Sequence, residues 1–332
     1  MSFRPVFVVG CQRSGSTLLG AMLGAHPDMV CVPEAQFLAD LMPPGPADRP
    51  VDPARVIDQV ERHWRFQVWE WDLAGRRPAP GECPDTYRGA MEWLVRLYDR
   101  DTKSGASRVW VEQQPGHVRC LRDLLLHFPD AKAIHVVRDG RAVAASLLPL
   151  DWGPNEILPA ANFWEQRVAR GFAASAFMGP DRLMHVRYED ITSDPEAAMR
   201  RCADFIGVEY HPAMLVSGGL RLPRFTEHQH NLVGSRPNPG RNDAWKKKLG
   251  PREIEIFEAV SGDLLRYLGY ELTTQHAREP SFVEKLLQFS RDQLKKAVNR
   301  RRFGRRTRPF EEAGRRAAPA LPGRMPEARA AE

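Results

Sequence analysis

The chain has 332 residues, of which 42% are hydrophobic, 27% charged and 9% aromatic, an ordinary globular composition with apolar mass for one large domain or two modest ones. Lysine plus arginine total 48 against 42 acidic residues, giving +6, yet residues 295–332 alone carry +8 and the rest of the chain −2, so the body is not basic. No apolar run reaches the roughly 18 residues of a membrane span. The apolar stretch 6–9 is too short for a secretory leader. The five cysteines are scattered with no C-x-x-C pair, which indicates neither a disulfide framework nor a zinc site and fits a reducing cytoplasm.

In chain order, residues 6–9 read as a buried strand, bounded by Pro5 and Gly10. Residues 17–23 have helical composition and end near Gly24 and Pro27. A Pro/Gly/Asp-rich loop spans 43–53, and 54–71 and 87–100 look helical. Residues 109–111 form a second strand candidate, and 118–128 a helix with Leu121, Leu124 and Leu125 on one face. The strand 131–137 is followed by Arg138-Asp139-Gly140-Arg141 and a helix to about residue 148. Helix 162–177, strand 183–186 and helix 195–206 follow. Residues 217–250 are irregular, and 252–268 form a last globular helix. The pattern predicts an α/β fold with a mainly parallel sheet and helices on both faces. Beyond it, Ser281 and Glu284 form a capping box opening an amphipathic basic helix over 281–302, and the Ala/Pro/Gly/Arg composition of 303–332 predicts a disordered basic tail.

Gly10-Cys11-Gln12-Arg13-Ser14-Gly15-Ser16-Thr17 fits the phosphate-binding pattern G-x-x-x-x-G-K-[ST], except that Ser16 stands where the lysine would be. Gly10 and Gly15 permit the turn, and successive N–H groups then converge on an anion at a helix N-terminus. Arg13 adds a forked donor suited to phosphate-like oxygens. The second strand–turn–helix unit places Arg138 at the carboxyl end of its strand, where open α/β sheets bind ligands, with Ser146 two turns into the helix. Pairing of Arg138 and Arg141 with Asp139, or simple solvation, is the alternative. Two anion sites on neighbouring strand ends suggest a ligand with two separated anionic groups.

These residues resemble the sulfotransferases that use 3′-phosphoadenosine 5′-phosphosulfate (PAPS), nearest in flavour to the bacterial and protein-tyrosine branch. Residues 8–19 look like the family's 5′-phosphosulfate loop and residues 136–146 like its 3′-phosphate motif. Ala25-His-Pro-Asp, Glu112-Gln-Gln-Pro115-x-His117, Arg187-Tyr-Glu-Asp190 and Trp245-Lys-Lys-Lys248 follow in family order. The resemblance covers about residues 5–270 and implies a P-loop-like, doubly wound α/β sulfotransferase domain over 1–275, with in-line transfer to an acceptor hydroxyl of a carbohydrate, lipid or small metabolite and no metal. It assigns Arg13, Ser14, Gly15, Ser16, Thr17 and Leu18 to the 5′-phosphosulfate and Arg138 and Ser146 to the 3′-phosphate. Tyr188, Trp245 and Lys248 complete the cofactor pocket. Glu34 falls where tyrosine-sulfating relatives hold their base, which fits the chemistry, since the acceptor must lose a proton as the S–O bond forms. Arg13 and Lys248 are the candidate cations for the leaving group.

One departure bears on mechanism: where the family often has lysine two residues before a proline, this chain has Gln113. Glu34 also reads as a solvated loop carboxylate, and His117 as a rival base or a structural histidine. His228 and His230 lack the carboxylates of a metal site. Trp64, Trp69 and Trp71 suit either an acceptor cleft or core packing, and residues 38–105 and 150–180 are expected to shape the acceptor site. The basic helix, over 281–308, suits an anionic membrane surface, making the protein cytoplasmic or peripheral on a membrane's inner face; no nucleic-acid module is present. Two other functions remain open: a small-molecule P-loop kinase, or a nucleotide-binding or membrane-adaptor protein with impaired catalysis.

Overall fold

A computed structural model describes residues 3–229 and 233–317. Five strands form one sheet: β1 (Arg4–Gly10), β2 (Met29–Val32), β3 (Val109–Glu112), β4 (Lys132–Val137) and β5 (Leu183–Arg187). Their order is β2-β3-β1-β4-β5, and every pair is parallel, with Val6 opposite Val111 and Val8 opposite Ile134. Parallel strands need crossovers, and these are helical.

The alternation along β1 explains why both faces are covered. Phe7 and Val9 point into one cluster, packed against Tyr87, Leu94 and Tyr98 of the helix Tyr87–Thr102. Val6 and Val8 point into the other, against Leu19, Met22 and Leu23 of the helix Ser16–Gly24. All four β1 side chains are at most 1% exposed, which is why the strand reads as a continuous apolar run. A third cluster joins the helices Gly140–Leu147, Ile157–Met178 and Pro251–Tyr267 around Trp164 and Phe257. The strand order reverses about β1. From β1 the chain passes to the edge strand β2, returns through β3 beside β1, and then crosses to β4 and β5 on the other side. Because every pair is parallel, all five carboxyl ends lie at one edge, around a topological switch point.

Several elements differ from expectation. β2 was unanticipated: four fully buried residues after the His26-Pro27 turn are too short to show periodicity. The helix expected over 54–71 breaks into Pro53–Arg62 and Trp64–Gln67, because His63 turns extended and its ring accepts the Arg65 amide, capping the second piece. The expected helix 118–128 is a 3-10 turn, Pro115–Arg119, followed by Leu121–His127.

The largest difference lies at the end of the chain. The Ser281–Glu284 capping box forms, each side chain bonding the other's amide, but the helix runs from Phe282 to Ala317, well beyond the predicted limit of 302. Tertiary contacts hold the region where composition suggested disorder. Arg306 pairs with Asp151 at 3.0 Å and stacks on Phe225, Thr307 is buried, and Gly314 lies so close to the Arg62 carbonyl that a Cβ would come within 2.3 Å. Residues 318–332, the remainder of the predicted tail, lie outside the described residues. Among the described residues no helix is long and apolar enough to cross a membrane.

Candidate anion-binding and acceptor site

Each strand delivers one candidate group at its carboxyl end. β1 runs into Cys11–Gly15, β2 into Glu34, β3 into Gln113, β4 into Arg138 and β5 into Tyr188. Residues remote in sequence are therefore neighbours for a topological reason.

The first loop uses left-handed backbone at Arg13 (φ 71°) and Gly15 (φ 101°), the conformation from which consecutive amides point to one side. Gly15 also lies flat on the Tyr188 ring, where a Cβ would sit 2.4 Å from a ring carbon. Ser14 is buried and its hydroxyl has no partner. A buried unsatisfied donor beside converging amides is what a bound anion would complete. Ser16 and Thr17 are buried in the first helical turn. Leu18 is packed in the core with Val8, which leaves its backbone amide as its contribution.

The two predicted anion sites join. Arg13 Nε donates to Ser146 Oγ at 3.0 Å, and a second Arg13 nitrogen donates to the Gln229 carbonyl at 2.8 Å. Arg138 donates to the Arg13 carbonyl at 3.1 Å, and its guanidinium lies 4.1 Å above the Tyr188 ring. Burial, and then the neighbouring Arg138, push the Arg13 guanidinium below its usual range.

Arg141 goes elsewhere. It is buried, bonds Asp139 through two nitrogens and reaches Glu258 at 2.5 Å, with its guanidinium over Trp245. The pairing alternative therefore holds for Arg141 and not for Arg138. Glu189 receives the Asp139 amide and the Tyr270 hydroxyl, which pins the turn that carries Arg138. Trp245 is buried in the cluster containing Cys11, and Lys248 is exposed after the 3-10 turn Ala244–Lys247. No contact joins Lys248 to Arg13 or Ser146.

Beside the anion loop lies a narrow cavity. Thr17, Glu34, Gln113, Arg65 and Trp69 line its inner wall, with Leu220 to Thr226 as its outer wall. Glu34 faces Arg65 at 3.5 Å, its carbonyl accepts the Trp69 indole N–H, and burial pushes the Arg65 guanidinium down. Gln113 is 2% exposed, and its Oε1 has no partner. Its side chain packs against Gly20, where any Cβ would come within 2.7 Å.

His117 is not in the cavity lining. Its Nδ1 bonds the fully buried Glu112 at 2.7 Å, and the other Glu112 oxygen accepts the amides of Ala35 and Gln114 at 3.0 Å each. Glu112 thus fixes the residues that follow Glu34 and Gln113. Trp69 is buried in the core and also lines the cavity, Trp64 packs on Phe225 and Phe303, and Trp71 on Tyr98. His228 lies near Arg306; His230 lies outside the described residues. Segment 150–180 contributes nothing to the cavity lining, whereas the unanticipated Leu220–Thr226 does. That wall carries no motif and is brought in by tertiary packing of Phe225.

A family model described as the sulfotransferase family matches residues 5–212. Protein-tyrosine sulfotransferase A of Caenorhabditis elegans is 23% identical over 287 residues, covering 80% of this chain and 67% of that protein. Nodulation protein NoeE of Sinorhizobium fredii is 26% identical over 308 residues, covering 84% and 69%. Among solved structures, the sulfotransferase domain of the Synechococcus PCC 7002 olefin synthase has a TM-score of 0.56 at 21% identity, covering 82% of this chain and 96% of that one. The sulfotransferase domain from the curacin biosynthetic pathway has a TM-score of 0.54 at 17% identity, covering 81% and 99%. These two likenesses concern the fold.

Proposed function

Because the chain belongs to the sulfotransferase family, we propose that it moves a sulfuryl group from PAPS to an acceptor hydroxyl seated in the cavity beside Glu34. The observation that carries this reading is the bond from Arg13 to Ser146, with Arg138 bonded to the Arg13 carbonyl, which brings the groups of two loops together and so suits a nucleotide with separated anionic groups. The orphaned Ser14 hydroxyl supports the fit.

In this reading the amides of 14–18, with Ser16 and Thr17, hold the 5′ end, and Arg138 and Ser146 hold the 3′-phosphate. Tyr188 supplies a flat surface beside them. The donor, when bound, supplies the sulfuryl group and leaves as the 3′,5′-bisphosphate. Glu34 accepts the proton of the acceptor hydroxyl as the new O–S bond forms. Arg13 meets negative charge gathering on the leaving side. Gln113 lines the cavity with Thr17 and Glu34 and can donate through its amide N–H₂ where relatives of this pattern often carry lysine. Leu222, Pro223, Val68 and Trp69 line the cavity together with Thr17, Glu34, Arg65 and Gln113, a mixed wall that suits the hydroxyl of a carbohydrate, lipid or small metabolite. The kinase alternative loses support because Asp139, the carboxylate nearest the end of β4, is occupied by Arg141 through both oxygens.

Isothermal titration with 3′,5′-adenosine bisphosphate and with ATP·Mg separates the two. Binding of the bisphosphate alone is expected, and binding of ATP·Mg alone would overturn the proposal. Transfer of label from radiolabelled PAPS into a native extract, followed by identification of the product, names the acceptor.

A further inference from the structure

The terminal helix is docked inside out. Its first half meets the body through polar side chains. Glu284 takes a forked bond from Arg252, Gln288 accepts the Leu158 amide, Asp292 accepts the Asn155 amide at 2.7 Å, Lys295 pairs with Glu156, and Asn299 bonds Asn155. Asp292 is 1% exposed. The apolar residues of the same turns face away: Phe282 is 80% exposed, Leu294 70%, Val283 61%, Leu286 57% and Val298 53%. A helix that serves only its own domain buries the apolar stripe and solvates the polar one. Here the polar stripe is consumed by the body, which leaves a contiguous apolar surface of the kind that marks an interaction site.

The same outward strip continues into charge. Leu287, Leu294, Val298, Arg301, Arg305 and Arg308 follow one another at steps of seven, four, three, four and three residues, so they share one face. Arg301, Arg305 and Arg308 are exposed. Apolar turns running into arginines along one line complement a bilayer surface, with the apolar turns at the acyl boundary and the guanidinium groups at lipid phosphates. A second copy of the chain complements it poorly. Parallel pairing sets arginine row against arginine row, and antiparallel pairing sets arginines against the apolar turns.

We propose that residues 282–308 dock the folded protein on an anionic membrane surface, with no helix leaving the body. The proposal is independent of the donor and acceptor readings.

The test is co-sedimentation of the full chain with phosphatidylcholine vesicles, with and without phosphatidylserine, at low and high salt. Binding to the anionic vesicles that weakens with salt is expected. Leu286→Ser/Leu294→Ser removes side chains that are 57% and 70% exposed. It should keep the thermal midpoint and lower the partition coefficient about tenfold or more. Arg301→Gln/Arg305→Gln should lower it by about fivefold per arginine. The proposal falls if the full chain ignores anionic vesicles, or if the double-serine variant binds them equally. It also falls if sedimentation velocity reveals a dimer that the double-serine variant dissociates, which would assign the face to a second copy.

Discussion

Arg13 Nε and Ser146 Oγ, 133 residues apart in sequence, are joined by a 3.0 Å hydrogen bond that fuses the loop after β1 with the helix after β4. The bond sets the spacing between the two proposed anion sites. Arg138 reinforces it from below through the Arg13 carbonyl. Arg138→Ala is expected to weaken binding of 3′,5′-adenosine bisphosphate by about 1.5–3 kcal/mol, the worth of a charged hydrogen bond. Ser146→Ala, which removes a neutral partner, should cost about 1 kcal/mol. Titration calorimetry checks both, and unchanged affinity in Arg138→Ala would move the 3′-phosphate elsewhere.

Glu34 stands 3.5 Å from Arg65 in a cavity with Thr17 and Gln113. Glu34→Gln keeps the shape and removes the proton acceptor. Turnover should fall about 10²–10⁴-fold while bisphosphate affinity stays the same. Full turnover in this variant would reassign the base. His117 is a poor successor because it is not among the residues lining the cavity, although Glu112 on its Nδ1 leaves Nε2 without a partner. Glu112 itself acts through others, since it fixes the Ala35 and Gln114 amides.

Gln113 carries a buried oxygen without a partner, a cost to folding with no structural return. Replacing such a group by an apolar one of similar size is close to neutral or stabilising. Gln113→Leu should therefore hold or raise the thermal midpoint and lower turnover by about tenfold or more, the loss of a donor aimed at developing charge. A variant as active as the wild type would make Gln113 a packing residue.

The sequence carried the site's chemistry better than its walls. The positions of the glycine loop and Arg138 at strand ends were legible because each follows an apolar strand directly; their anion-binding roles are proposals. The fate of Arg141 was not legible: its partner Glu258 is 117 residues away, and local spacing pairs Arg141 with Asp139 without revealing that this pairing exhausts it. The same holds for Leu220–Thr226, which lines the cavity only because Phe225 packs against Trp64 and Phe303. Residues 303–317 failed for the opposite reason. Their composition is that of a solvated tail, and order comes from single docked groups such as Arg306 and Gly314.

His135 and His185, paired across β4 and β5, bond Nδ1 to Nδ1 at 2.9 Å, so at least one must be neutral. Burial, and then the neighbouring His185, push His135 down to about 3; burial also lowers His185. Gly171 closes the pocket, since a Cβ there would strike the His135 ring at 2.2 Å. The folded pKa of His135 lies below its unfolded value of about 6.5, so the unfolded chain takes up protons first as pH falls. Stability is fully present above about pH 6.5 and is lost toward pH 3, by about 1.4 kcal/mol per pH unit from His135 alone. Urea unfolding midpoints measured from neutral to about pH 5 should fall accordingly. His135→Asn, which keeps a donor toward His185 and removes the titration, should be less stable at neutral pH but show a flatter decline. Parallel declines in the two proteins would place the acid sensitivity in other groups.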